Sequence, residues 1–386
     1  MSKKKRKVCV VVMGRANYGR IKSVLQAIKD HEDLELLLIV GASAILHRFG
    51  NVVDVMRNDG FEPTTILYSI VEGENLTTMA KSAGLGIIEL ATQFENLRPD
   101  VVLTVADRFE TISAAIAASY MNIALAHTQG GEVTGSIDES VRHAISKLAH
   151  LHFPSTHLAA ERLLKMGEDP ERIRMTGCPS IDVIHKIDLP IAKDLFRRYG
   201  GAGPTIDATK PYIVVLQHPV TTEYGKGFEH IRATLAAISR LNMQTVWLWP
   251  NIDAGSDDIS KGLRLYRERE KPEFIQFFRN FSVEDYACLI ANTSCLIGNS
   301  SSGIREGSYL GTPVVNIGTR QQGRERGANV VDVNHDEDEI YIQIKNQIEH
   351  GRYKSEALYG DGRAGIRIAE FLSEMPIDNL QKRLNY

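Results

Sequence analysis

Short apolar runs recur along the chain, each followed by a polar or glycine-rich turn and then by a stretch with helical spacing. The runs are Lys7–Met13 (KVCVVVM), Leu34–Val40 (LELLLIV), Val101–Val105 (VVLTV), Ile123–His127, Tyr212–Leu216 (YIVVL), Gln244–Leu248, Cys295–Gly298 and Pro313–Ile317 (PVVNI). They are apolar on successive positions rather than on alternate ones. Strands buried on both faces read this way, and such strands belong to parallel sheets covered by helices. The stretches Tyr18–Asp30, Thr77–Leu97, Arg108–Tyr120, Ile137–Ala149 and Val283–Asn292 predict the helices between them. The alternation predicts an α/β protein.

The pattern breaks once, in the middle. Residues 189–210 (LPIAKDLFRRYGGAGPTIDATK) hold a short helical piece and then a Gly/Pro/Thr-rich run, after which the strand YIVVL starts afresh. This divides the chain into a first doubly wound domain over 1–188, a linker over 189–210 and a second doubly wound domain over 211–365. Gly365–Met375 reads as a helix, and a C-terminal helical segment over 366–386 is expected to pack back on the first domain. The halves share an architecture without a sequence repeat. In such sheets ligands sit outside the carboxyl ends of the strands, so a cleft between the domains is the expected active site.

Composition narrows the function classes. The 386 residues suit two or three domains at roughly 150 each. With 24% charged and 43% hydrophobic residues the chain is ordinary globular material. A net charge of −3 excludes a broad nucleic-acid-binding surface. No apolar run approaches the roughly 20 residues of a membrane helix. Cys9, Cys178, Cys288 and Cys295 have no CxxC spacing, which fits reduced thiols in a cytoplasmic protein. The basic start MSKKKRK lacks a following apolar region and reads as a solvated tail rather than a signal peptide.

The turns after the strands hold the unusual residues. The first strand ends in GRANYG, which is not the GxGxxG of dinucleotide binding. Arg15 in that turn, near a helix N-terminus, suits a phosphate, although an exposed arginine gives the same pattern. VVLTV runs into ADRFE, so Asp107 and Arg108 emerge together; Asp107 also fits a helix N-cap. Residues 126–143 (AHTQGGEVTGSIDESVRH) combine two His, three carboxylates, an Arg and three Gly. Carboxylates on such a loop can move protons as general acids and bases. Glu139 and His143 fall one helical turn apart. The spacing matches no familiar metal-ligand set.

In the second half, QHPVTTE sends His218 out from a strand end, and WPNIDAGS forms another polar turn. GNSSSGIREG is a strand, a Ser/Gly loop and a helix start, which together make an anion site without the lysine of a P-loop. A sugar-nucleotide diphosphate fits it, with Glu306 placed to accept ribose hydroxyls; Ser300 alone fits an ordinary N-cap. TRQQGRER then supplies local cations.

In order, these motifs resemble the hydrolysing UDP-N-acetylglucosamine 2-epimerases of sialic-acid-type sugar biosynthesis. The match runs from GRANYG to YGDGRAGIRIAEFL through GGEVTGSIDESVRHAISKLAH, QHPVTTE, WPNIDAGS and GNSSSGIREGSYLGTPVVNIGTRQQGRE. The resemblance implies the glycosyltransferase-B architecture, two Rossmann-like domains with the substrate between them. It implies conversion of UDP-N-acetylglucosamine and water to N-acetylmannosamine and UDP, through removal of the C2 proton, loss of UDP to give a glycal, and hydration. It implies no cofactor, no metal, no nucleic-acid or membrane partner, and a homodimer or homotetramer. Asp107, Asp138, Glu132, Gln129 and His218 take the catalytic positions of the resemblance. Arg15, Arg108, Arg142, His143, Asn251, Ser300, Ser301, Glu306 and Arg320 take substrate and nucleotide positions.

Three residues depart from that pattern. Gln129 replaces a common acid and cannot act as a base, Asn17 replaces an acid, and Ala106 replaces a glycine. These changes around the sugar half leave room for a UDP- or GDP-linked N,N'-diacetylbacillosamine substrate of legionaminic acid synthesis. The nonhydrolysing 2-epimerases, a retaining glycosyltransferase of the same architecture and an inactive sugar-nucleotide-binding regulator marked by Gln129 are the other readings.

Overall fold

The protein is seen in a computed structural model that describes residues 4–47, 51–377, 380–383 and 385. The chain forms two compact units. Unit 1 comprises Met1–Glu132, Ile137–Lys186 and Tyr359–Tyr386; unit 2 comprises Val133–Ser136 and Ile187–Leu358.

Unit 1 is built on a six-stranded sheet of β1 (Arg6–Val12), β2 (Leu34–Gly41), β3 (Thr65–Leu67), β4 (Val101–Val105), β5 (Ala124–Thr128) and β6 (Leu151–Phe153), in the order β3-β2-β1-β4-β5-β6. Every pairing is parallel, with Val8 opposite Leu36 and Val12 opposite Val40 in the β1–β2 ladder. Its helices are α1 (Arg15–Gly19), α2 (Lys22–Asp30), α3 (Val52–Asn58), α4 (Leu76–Leu97), α5 (Thr111–Tyr120), α6 (Asp138–Leu148), α7 (His157–Lys165) and α8 (Pro179–Lys186).

Unit 2 repeats the plan with β7 (Ile213–Leu216), β8 (Thr245–Leu248), β9 (Ile275–Phe278), β10 (Leu296–Gly298), β11 (Val314–Ile317) and β12 (Val330–Val333), in the order β12-β11-β10-β7-β8-β9. This sheet is also parallel throughout. Its helices are α9 (Leu195–Tyr199), α10 (Gly227–Leu241), α11 (Ser256–Glu270), α12 (Val283–Asn292), α13 (Ser301–Ile304), α14 (Glu306–Leu310) and α15 (Glu337–His350). The last helix, α16 (Ala364–Glu374), returns to unit 1.

Both sheets are apolar on both faces, as the continuous runs predict. Each fully buried Val, Leu or Ile of β1, β4, β7 and β10 contributes about 1.5–3 kcal/mol. Residues 189–210 are more than a linker. They form α9 and bury Leu195, Phe196, Ile206 and Ala208 in the core under β7 and β8, because these apolar side chains gain a sheet face to cover. The C-terminal helix is shorter than the expected 366–386. It ends at Glu374, before Met375 and Pro376, because a residue preceding proline avoids the helical region. Residues 380–383 are not helical, and 378, 379, 384 and 386 lie outside the described residues. The Asp182 carboxylate accepts the first free amides of α16, Ala364 N–H at 2.9 Å and Gly365 N–H at 2.7 Å, which fixes the helix on unit 1.

Strand order sets where chemistry can gather. In unit 1 the order reverses between β1 and β4, and in unit 2 between β7 and β10. At a reversal the two following loops part to opposite faces and leave a crevice at the carboxyl ends. Arg15 and Asp107 follow β1 and β4; His218 and Ser300 follow β7 and β10. Gly298 shows how closely the second pair of strands approaches there. It has φ +124°, and a Cβ on it would lie 2.2 Å from the Leu216 carbonyl oxygen.

Candidate functional site

In unit 1 the loops after β1, β4 and β5 enclose a charged cluster. Asp107 is not a helix cap: α5 starts at Thr111, behind Glu110. Its carboxylate pairs with the guanidinium of Arg142, which is fully buried, and lies 3.8 Å from Arg20. Arg142 also donates to the Glu132 carbonyl at 2.9 Å. A buried guanidinium is tolerable only with partners of this kind. Arg108 makes a two-pronged ion pair with Glu110, both contacts at 3.1 Å. The structure thus brings the Asp107 carboxylate, the Arg142 guanidinium and the main-chain carbonyl of Glu132 together. Asp138 and Glu139 occupy the first turn of α6, where the helix dipole favours negative charge, and Glu139 reaches His143 at 3.5 Å. Arg15 opens α1 after the β1 turn.

The three departures have local explanations. Asn17 is buried; its side-chain oxygen accepts Met13 N–H at 3.3 Å, and its amide donates to the Val105 carbonyl at 3.1 Å. It ties the ends of β1 and β4 together, and a carboxylate could not make the second bond. Ala106 sits at φ +60°. His127 holds it there, donating from Nε2 to the Ala106 carbonyl at 2.7 Å, so Nδ1 accepts from the Ser146 hydroxyl at 3.2 Å. Burial pushes the His127 imidazole down to about 3, so it is neutral at pH 7. Gln129 is fully buried at φ +62°, with its amide donating to Cys178 Sγ at 3.3 Å. Its side-chain oxygen is buried with no hydrogen-bond partner among the described residues.

Unit 2 gathers the other set around Asn299. The Asn299 side chain accepts His218 N–H at 2.7 Å and donates to the His218 carbonyl at 2.8 Å. Its own carbonyl accepts from Arg320 at 3.3 Å and from Gln321 at 2.8 Å. Arg320 also lies 3.8 Å from Asp253. His218 is buried, and its Nδ1 accepts Asn251 N–H at 3.2 Å. The neutral ring therefore carries its proton on Nε2, a donor suited to a phosphate oxygen. Ser300 caps α13 through Ser302 N–H, as a plain N-cap does, and Ser301 begins the helix. One carboxylate oxygen of Glu306 is buried with no hydrogen-bond partner among the described residues. An orphan acceptor of this kind takes its donor from outside the chain, a water or a bound molecule.

The residues that motif reading missed are the organisers: Asn299, His127, Arg20 and Glu110. Asn299 lay in view inside GNSSS; His127 stood in the singled-out stretch without a role. Arg20 carries no local signal, because its partner Asp107 is brought to it by strand order, whereas Glu110 meets Arg108 two residues away inside ADRFE.

Comparison with known proteins gives one family. The profile described as UDP-N-acetylglucosamine 2-epimerase matches residues 26–373. A hydrolysing UDP-N,N'-diacetylbacillosamine 2-epimerase of Legionella pneumophila is 34% identical over 373 residues, 96% of this chain and 97% of that protein. A UDP-N-acetylglucosamine 2-epimerase of Neisseria meningitidis serogroup B is 29% identical over 384 residues, 98% of each chain. The crystal structure of the Methanocaldococcus jannaschii UDP-GlcNAc 2-epimerase with UDP-GlcNAc and UDP has a TM-score of 0.77 and 15% identity, covering 95% of this chain and 99% of that one. At that identity the likeness is one of fold.

Proposed function

The chain belongs to the UDP-N-acetylglucosamine 2-epimerase family, and we propose that it hydrolyses as it epimerises, releasing N-acetylmannosamine and UDP from UDP-N-acetylglucosamine and water. The observation that carries the proton-transfer reading is the buried Asp107 carboxylate at the carboxyl end of β4, held by Arg142; release of the free sugar is supported by the Legionella relative named as hydrolysing. A carboxylate fixed there serves as a base for the sugar C2 proton. The C2 electron pair forms a C1=C2 bond as the C1–O bond breaks, and UDP departs with the pair of the broken C1–O bond. Water then adds its hydroxyl to C1, and an acid returns a proton to C2 on the other face. Asp138 and Glu132 are the carboxylates of this unit assigned to the remaining proton transfers. In unit 2, His218, Ser301 and Arg320 are assigned the diphosphate, and Glu306 the ribose.

Gln129 has no place as a base, and its buried side chain fits a wall of the sugar half better than a proton carrier. The Legionella relative favours a second substrate, the UDP-linked 2,4-diacetamido sugar, with the same bond changes. NMR of products from UDP-N-acetylglucosamine and from UDP- and GDP-linked diacetamido sugars separates the substrates. A free 2-epimer marks hydrolysis, whereas a product still carrying UDP marks the nonhydrolysing reaction. In deuterated water the product is expected to carry deuterium at C2. Product with protium there excludes the elimination route.

The nucleotide half is tested apart from the chemistry. Ser301→Ala combined with His218→Ala removes two donors to a charged diphosphate and is expected to weaken UDP binding about 100-fold. Calorimetry with UDP reads this directly, and an unchanged dissociation constant removes these residues from the site.

A further inference from the structure

A carboxylate and two imidazoles meet in unit 2 outside the set just described. Glu223 ends the single turn Thr221–Glu223, His230 lies in the first turns of α10, and His335 stands between β12 and α15. Ligand atoms from the three residues lie within 4.8 Å of one another. The two rings stack with centroids 3.6 Å apart, and His230 Nε2 is 3.5 Å from the Glu223 carboxylate. Both ring nitrogens of His335 are buried and have no hydrogen-bond partner among the described residues. Each unmet nitrogen costs about 1–3 kcal/mol. Burial pushes His335 down to about 4 and lowers His230 as well, so both rings keep free lone pairs at pH 7. The backbone is shaped to the ring. Gly318 has φ +73°, and a Cβ on it would lie 2.3 Å from His335 Nε2.

We propose that Glu223, His230 and His335 form a binding site for one divalent cation of the zinc class. Two imidazole nitrogens and one carboxylate are the donor set of three-ligand zinc sites, whose fourth position takes water. Bonds of about 2.0–2.1 Å bring tetrahedral ligands to roughly 3.3 Å from each other. Parallel stacked rings cannot both aim in-plane lone pairs at one ion, so binding turns one ring out of the stack. That turn is a rotation about χ2, a broad and soft torsion in histidine. It closes the spacing and gives one of the two orphan nitrogens of His335 a partner. Glu223 also accepts from the Thr319 hydroxyl, next to Arg320. The ion would thus join the turn after β7, the start of α10 and the β12–α15 turn, beside the Arg320 loop.

The test uses the full chain stripped with a chelator and titrated with zinc ion alone by calorimetry. One equivalent is expected to bind at about 1 μM or tighter. His335→Ala, His230→Ala and Glu223→Gln are each expected to weaken it at least about 10-fold. Absence of such an equivalent in the wild-type chain, or equal affinity in folded variants, overturns the proposal. UDP binding by the same stripped proteins reports folding and the nucleotide site separately. Zinc binding without UDP binding faults only the proposed function, and the reverse faults only the metal site.

Discussion

Asp107→Asn is expected to lower kcat about 100- to 10,000-fold while UDP affinity stays within about threefold. The substitution keeps the shape of the side chain and removes its capacity to take a proton. The size follows from what a positioned general base contributes. UDP affinity is spared because the residues assigned to the diphosphate and ribose in unit 2 are untouched. The variant also leaves Arg142 with a neutral partner in a fully buried position. Some loss of stability is therefore expected with the loss of rate, and an unfolding curve is measured beside the kinetics. A variant that stays folded at the assay temperature and turns over at the wild-type rate removes Asp107 from the mechanism. A variant that loses rate and UDP binding together points to collapse of the unit instead.

The legibility of the fold follows the position of each strand. The eight runs read from the sequence correspond to β1, β2, β4, β5, β7, β8, β10 and β11, the inner strands of the two sheets. The four that the reading missed, β3, β6, β9 and β12, are the sheet edges. An inner strand has neighbours on both sides and helices on both faces, so it must be apolar throughout. An edge strand is freed from part of that demand. β3 and β6 have three residues each, and β12 (VVDV) carries an exposed aspartate. Helix limits agree to within a few residues, apart from Tyr18–Asp30, which is two helices, α1 and α2.

The candidate residues stand out in the sequence where chemistry and position coincide in one motif. His218, Ser300, Ser301 and Arg320 each follow a strand, and the polar run itself announces them. The partnerships were not legible. Asp107 and Arg142 lie 35 positions apart in the chain and meet because β4 and β5 are neighbours in the sheet and α6 follows β5. The same holds for Asn299, whose side chain meets the backbone of His218 because β10 pairs with β7. Topology decides such contacts, and no local pattern encodes them.

Glu168→Ala is expected to destabilise unit 1 by about 3–5 kcal/mol, the range for breaking a buried ion pair from one side. Glu168 is almost fully buried after α7. It accepts from Lys147 at 2.7 Å, from His152 at 3.0 Å and from Lys382. Burial alone would raise its carboxyl, but these donors outweigh burial and hold it down at about 2. Burial also lowers His152 despite the adjacent carboxylate, so at pH 7 that ring donates as a neutral imidazole, and the lysines supply the positive charge. Lys382 donates as well to the carbonyls of Ser146 and Ala149, at the C-terminal end of α6, where a cation meets the negative end of the helix dipole. The cluster thus anchors the helix that begins with Asp138 and carries Arg142 and His143. The pH dependence has a definite sign. In the unfolded chain the Glu168 carboxyl takes its proton near its ordinary value of 4.5, whereas the folded unit refuses it down to about 2. The contribution, about 3 kcal/mol, is complete above that ordinary value and is lost as pH falls toward 2. Urea midpoints measured from pH 6 down to pH 3 should therefore fall in the wild-type chain and stay flatter in Glu168→Gln, which has no proton to take. Parallel profiles would show that the lysines are satisfied by water, and that α6 holds its place without the carboxylate.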